Sequence, residues 1–129
     1  MSERVPYILP LSPYFREMVW GGRRLHTLFG KALPKKVQIG ESFELSAYQG
    51  RESRVGAGPL EGFGLSALVR RYGADLLGPA VVERYGECMP LLVKLLDARQ
   101  DLSIQVHPDD AYAQSNNLQD NGKMEAWFV

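Results

Sequence analysis

Residues 101–108 alternate strictly, with Leu102, Ile104 and Val106 on one parity and Ser103, Gln105 and His107 on the other. Successive side chains of an extended strand point to opposite faces, so this segment specifies a strand with one apolar face to be covered and one polar face left for chemistry. Such a strand needs a sheet and a second layer. Just upstream, residues 91–96 form a nearly continuous apolar run, which predicts a strand buried on both faces. Residues 40–47 alternate again, Phe43 and Leu45 against Ser42, Glu44 and Ser46, and predict a half-buried strand. Residues 123–129 begin a further strand, with Lys123 and Glu125 opposite Met124, Ala126 and Phe128. The sequence stops inside that strand, and an apolar strand requires a covering neighbour, so we expect the domain of residues 1–129 to continue past Val129.

Helices are few and short. Leu25, Leu28 and Phe29 predict a helix over 23–29 closed by Gly30, and Gly21 and Gly22 before it permit a turn. Leu65, Leu68, Val69, Tyr72 and Leu76 form one apolar stripe of an amphipathic helix that Gly78 and Pro79 stop, with Arg70 and Arg71 solvated off the stripe. Pro108, Asp109 and Asp110 open a helix to about Ser115 with an acidic cap, and 116–122 is a polar loop. Residues 50–64 are rich in glycine and turns, and 5–11 suits an edge strand or extended lead-in ended by Pro10 and Pro13. The prediction is a mainly β fold with a few short helices.

Hydrophobic residues make up 45% and charged residues 23%, ordinary for a globular chain. Fifteen basic and fifteen acidic side chains leave a formal net charge of zero, which disfavours nucleic acid as a partner. No stretch approaches the roughly 20 apolar residues of a membrane helix, and residues 1–10 hold no apolar run long enough for a signal peptide. The single cysteine, Cys88, cannot form an intrachain disulfide and fits a reducing cytoplasm, as a buried structural thiol.

Gln105 and His107 project side by side from one strand face, and Glu125 shares a polar face of the later strand. If those strands pair or face one another, a carbonyl oxygen, an imidazole nitrogen and a carboxylate converge on a point. Mixed nitrogen and oxygen donors suit zinc and tolerate manganese or cobalt. A hydrogen-bonded polar strand face would carry the same pattern. Lys94, inside the apolar run, either snorkels at an edge or faces an anionic ligand, because an ammonium buried unpaired costs several kcal/mol. His26 reads as a surface or satisfied core histidine, while Glu41 and Glu44 either orient neighbouring groups, touch a sugar or lie exposed.

Two segments, Ser103-Ile104-Gln105-Val106-His107-Pro108-Asp109 and Gly122-Lys123-Met124-Glu125-Ala126-Trp127, resemble the paired metal motif of the type I and related phosphomannose isomerases of the cupin superfamily. Trp20-Gly21-Gly22-Arg23, the strand from Ile39 to Ser46 and the run from Pro90 to Asp97 follow in the family's order, so the resemblance spans about Pro10 to Val129. It implies the N-terminal portion of a cupin-type jelly roll, or β-sandwich. It implies an aldose-ketose isomerase that interconverts mannose 6-phosphate and fructose 6-phosphate through a cis-enediol, with one zinc ion per subunit. Residue by residue, it assigns Gln105, His107 and Glu125 to the metal, and places Trp20, Lys94, Ser103 and Lys123 at the substrate, with Lys94, Ser103 and Lys123 in catalytic roles. A further metal histidine and a catalytic arginine would lie downstream of Val129, so residues 1–129 alone are expected to be inactive. The alternative is a non-catalytic cupin module that binds a metal or a sugar phosphate.

Overall fold

A computed structural model describes residues 7–118 and 120–129, so residues 5 and 6 of the expected lead-in lie outside the described residues. Among the described residues five strands form two antiparallel sheets. β1 (Leu11–Ser12) pairs with β4 (Arg54–Val55). β3 (Ile39–Leu45) is the centre of a three-stranded sheet between β2 (Tyr14–Gly22) and β5 (Val93–Leu96). In that sheet Phe43 lies across from Tyr14 on one side and Lys94 on the other, and Glu41 lies across from Arg16 and Leu96.

Among the described residues there are five short helices. α1 (Arg24–Phe29) drops Leu25 onto Ile39 and Leu33, and Phe15, Val37 and Leu95 pack around this cluster. α2 (Leu65–Tyr72) buries the predicted stripe through Leu68, Val69 and Tyr72, and Leu68 and Tyr72 join Val55 and Leu60 in a second core. α3 (Ala74–Leu77) and α4 (Pro79–Tyr85) follow, and α5 (Asp110–Ser115) starts at Asp109, whose carboxylate accepts a 2.7 Å hydrogen bond from the Tyr112 N–H as the acidic cap expected there.

Several expectations need correction. The longest strand, β2, runs through Gly21 and Gly22, which do not turn the chain there. A Cβ on Gly21 would lie 2.5 Å from the Gly40 nitrogen and 2.7 Å from the Ile39 carbonyl carbon, so glycine lets two strand backbones touch. The stripe helix ends early, at Gly73 (φ 48°), and Pro79 opens α4, where its missing N–H costs nothing. Among the described residues β5 is an edge strand of half-exposed residues rather than one buried on both faces, since only β3 pairs with it there. Cys88 is exposed, so it is no core thiol. Residues 102–107 and 123–129 form no strand among the described residues, and Ile104, Met124 and Phe128 are fully exposed. Alternation sets which way side chains point, but a strand exists only where another backbone accepts its hydrogen bonds.

Candidate active site

His107 ends the first of these segments and Glu125 lies near the start of the second. The chain between them doubles back through α5, and two hydrogen bonds close the return. The Lys123 N–H donates to the Pro108 carbonyl at 2.9 Å, and the Gly122 N–H donates to Asp110 Oδ1 at 2.9 Å. His107 Nε2 thereby comes to 3.3 Å from Glu125 Oε2, with Lys123 Nζ 3.1 Å from the imidazole nitrogen and 3.2 Å from the carboxylate oxygen. The imidazole nitrogen of His107 and a carboxylate oxygen of Glu125 thus both face the Lys123 ammonium.

Burial pushes the Glu125 pKa up. The hydrogen bond and charge of Lys123, then Trp127 and His107, outweigh it and hold the carboxyl below its ordinary value. Ligands bound at about 2.0–2.2 Å in tetrahedral geometry are about 3.3–3.6 Å apart, so the His107 and Glu125 donors, 3.3 Å apart, fit a zinc-sized ion in spacing. Among the described residues no third His, Cys, Asp or Glu completes a metal-binding group. Gln105, the third expected donor, is exposed and turned to its neighbour, its amide donating to Ser103 Oγ at 3.0 Å.

Lys94 belongs to a separate cluster. Its ammonium donates to Glu41 Oε1 at 2.8 Å, while Arg16 donates to Glu41 Oε2 at 2.9 Å. The Lys94 ammonium also stands 5.2 Å from the Phe43 ring centre, and Tyr14 meets that ring edge-on at 5.9 Å. Arg16 escaped the sequence reading because β2 itself was not anticipated; a period-2 scan of Tyr14, Arg16 and Met18 is the signal that could have found it. Trp20 is buried (7% exposed), packed over Gly40 as a core residue. His26 is satisfied on α1 by the Lys31 carbonyl at 2.8 Å, and Glu44 is paired with Lys31 and Ser42.

Burial raises the Glu41 pKa, but Lys94 and then Arg16 more than reverse this and hold it below its ordinary 4.5. A depressed folded-state pKa contributes stability that is complete above the unfolded value and is lost as pH falls through the folded one. The stability difference between wild type and Glu41→Gln is therefore expected to be constant above pH 4.5 and to shrink below it. Urea unfolding of both proteins across pH 3–7 measures this; a difference that grows on acidification would contradict the ion-pair assignment.

A cleft of about 610 Å³ lies between Tyr48, Arg70, Cys88 and Leu92 and is not lined by His107 or Glu125. No described helix is long and apolar enough to cross a membrane.

Residues 8–126 match the family model of the phosphomannose isomerase type I catalytic domain. The chain belongs to that family. Over 119 residues it is 42% identical to the probable mannose-6-phosphate isomerase GmuF of Bacillus subtilis (strain 168), covering 92% of this chain and 36% of that protein. Over 117 residues it is 40% identical to mannose-6-phosphate isomerase ManA of the same organism, covering 91% and 35%. The crystal structure of mannose 6-phosphate isomerase from Bacillus subtilis superposes with a TM-score of 0.74 at 38% identity, over 87% of this chain and 34% of that one. A variant of phosphomannose isomerase from Salmonella typhimurium superposes with a TM-score of 0.70 at 31% identity, over 83% and 28%. The chain thus spans about a third of the length of these relatives. The fold is mainly β with a few short helices, of the cupin type these phosphomannose isomerases share, as expected.

Proposed function

We propose that this chain carries part of the active site of a metal-dependent isomerase that interconverts mannose 6-phosphate and fructose 6-phosphate. One observation carries the reading: the segment matched to the family brings an imidazole, a carboxylate and an ammonium within 3.3 Å of one another. The names of the relatives favour this over a non-catalytic sugar-phosphate module. The reaction opens the sugar ring and moves a proton between C2 and C1 through a cis-enediol, whose anionic form is the difficult intermediate. His107 and Glu125, with Gln105 after rotation of its amide away from Ser103, would hold the ion, for which zinc suits the donor set. Bound there, it supplies Lewis-acid stabilisation of negative charge.

The remaining steps belong to side chains. Lys94 and Lys123 offer point charges to a phosphate or an oxyanion, and Ser103 offers a hydroxyl donor. Trp20, buried on β2, packs over Gly40 of β3. In the full-length protein, Lys94→Ala and Lys123→Ala are expected to raise KM for mannose 6-phosphate by about tenfold, the 1.4 kcal/mol scale of one charged hydrogen bond, while bound metal stays near wild type. Elemental analysis beside steady-state kinetics decides the matter: loss of metal in either variant would argue against separate substrate contacts.

A further inference from the structure

One carboxylate, Glu41, holds two cations on two strands. It is 6% exposed in the middle of the three-stranded sheet, and each of its oxygens takes one partner, Lys94 of β5 at 2.8 Å and Arg16 of β2 at 2.9 Å. Lys94 lies opposite Phe43 rather than Glu41 in the register, so its side chain slants across the sheet to reach the carboxylate, over the Phe43 ring that Tyr14 in turn props. A lysine stem has four rotatable carbons and several rotamers of similar energy, so on an edge strand it would spread its charge over a wide arc. Here the strand is an edge, yet the Lys94 side chain is only 19% exposed. Two cations against one anion leave a surplus positive charge fixed on this face.

We infer that Glu41 is a positioning residue, which aims the Lys94 ammonium at an anionic group of the substrate while Arg16 locks the carboxylate from the other side. This rests on the reading of Lys94 as a substrate contact given above. An ammonium has three N–H donors, and the single oxygen of Glu41 takes one, so an anchored Lys94 still has donors to offer. Arg16 is the counterweight. Bonded to the second oxygen, it keeps the carboxylate plane from rotating and keeps the carboxyl ionised.

Misplacing a catalytic contact by about 1 Å can cost about 100-fold in rate. In the full-length protein, Glu41→Gln is therefore expected to lower kcat/KM for mannose 6-phosphate by between 10- and 100-fold. Because Glu41→Gln leaves two cations undercompensated and can weaken the fold, a second variant replaces the pair by Arg16→Met with Glu41→Leu. Apolar replacement of a buried ion pair is commonly neutral for stability, and Lys94 is left to snorkel without its anchor. This double variant is expected to melt close to wild type and to show the same loss of kcat/KM. Wild-type kcat/KM in the folded double variant would overturn the inference. The Lys94→Met background separates the two readings: there Glu41→Gln should have no further effect, since its action passes through the lysine. If Lys94→Met itself is fully active, the substrate contact is wrong; if Lys94→Met is impaired but Glu41→Gln adds its full loss on top, only the positioning role fails.

Discussion

In a His107→Ala variant of the full-length protein, bound divalent metal is expected to fall from about one ion per chain to near zero. If the proposed ion contributes about 4 kcal/mol of transition-state stabilisation, its loss corresponds to about 10³-fold in kcat/KM. Glu125→Gln keeps the shape of its side chain but removes the charge, so it is expected to bind metal weakly and to regain part of the activity at high metal concentration. Gln105→Ala discriminates further. Its amide is engaged with Ser103 at 3.0 Å, so a metal role requires it to rotate, and its loss is expected to cost less than that of His107. Elemental analysis after gel filtration and steady-state assays with added zinc or manganese measure both quantities. Stoichiometric metal and near wild-type kcat/KM in His107→Ala would remove the ion from this site.

Gly21→Ala is expected to be the most damaging single-methyl change in the three-stranded sheet. The added carbon meets backbone atoms of Ile39 and Gly40, not a movable side chain, so β2 and β3 must separate where Trp20 and Ile39 are buried. Overpacking of this kind costs about 1–3 kcal/mol where side chains can yield, and backbone contact places this position at or above the upper end, about 3 kcal/mol. Val19→Ala on the same strand is the control. Its side chain is 87% exposed, and a surface change of this kind stays within about 0.5 kcal/mol. Urea midpoints with unchanged slope report the difference; equal midpoints for the two variants would mean that the strands do not meet as described.

The fold was legible where side-chain periodicity and packing agreed. α2 carries its stripe at Leu65, Leu68, Val69 and Tyr72, all of which are buried, whereas β3, expected to be half-buried, is enclosed on both parities, with Glu41, Ser42 and Phe43 all buried. β2 was illegible because both of its parities mix apolar and charged residues: Arg16 turns inward to Glu41, while Val19 on the other parity is exposed. Its glycines resemble a turn in sequence, and only the proximity of β3 explains them. Pro79 was ambiguous in the same way, since a proline that stops one helix is equally suited to begin the next.

The candidate site was legible in part, and for a different reason than expected. Parity placed His107 and Glu125 on polar faces, yet no strand pairing unites them; the return through α5 does. Nothing in the spacing of Gln105 could show that Ser103 would claim its amide. The Arg16–Glu41–Lys94 cluster depends on the register of three strands separated widely in sequence, which no local pattern encodes.

The return through α5 has a consequence for assembly. Residues 108–123 are sewn shut by their own hydrogen bonds, and Gly122 packs so closely on Asp109 and Asp110 that a Cβ would overlap their backbone. The entropy of closing a loop grows only about as the logarithm of its length, so bringing two donors 16 to 18 positions apart together is inexpensive compared with uniting strands from opposite ends of a domain. The His107–Lys123–Glu125 corner is therefore held by one contiguous stretch, through the local return over α5, and does not depend on the pairing of strands distant in sequence.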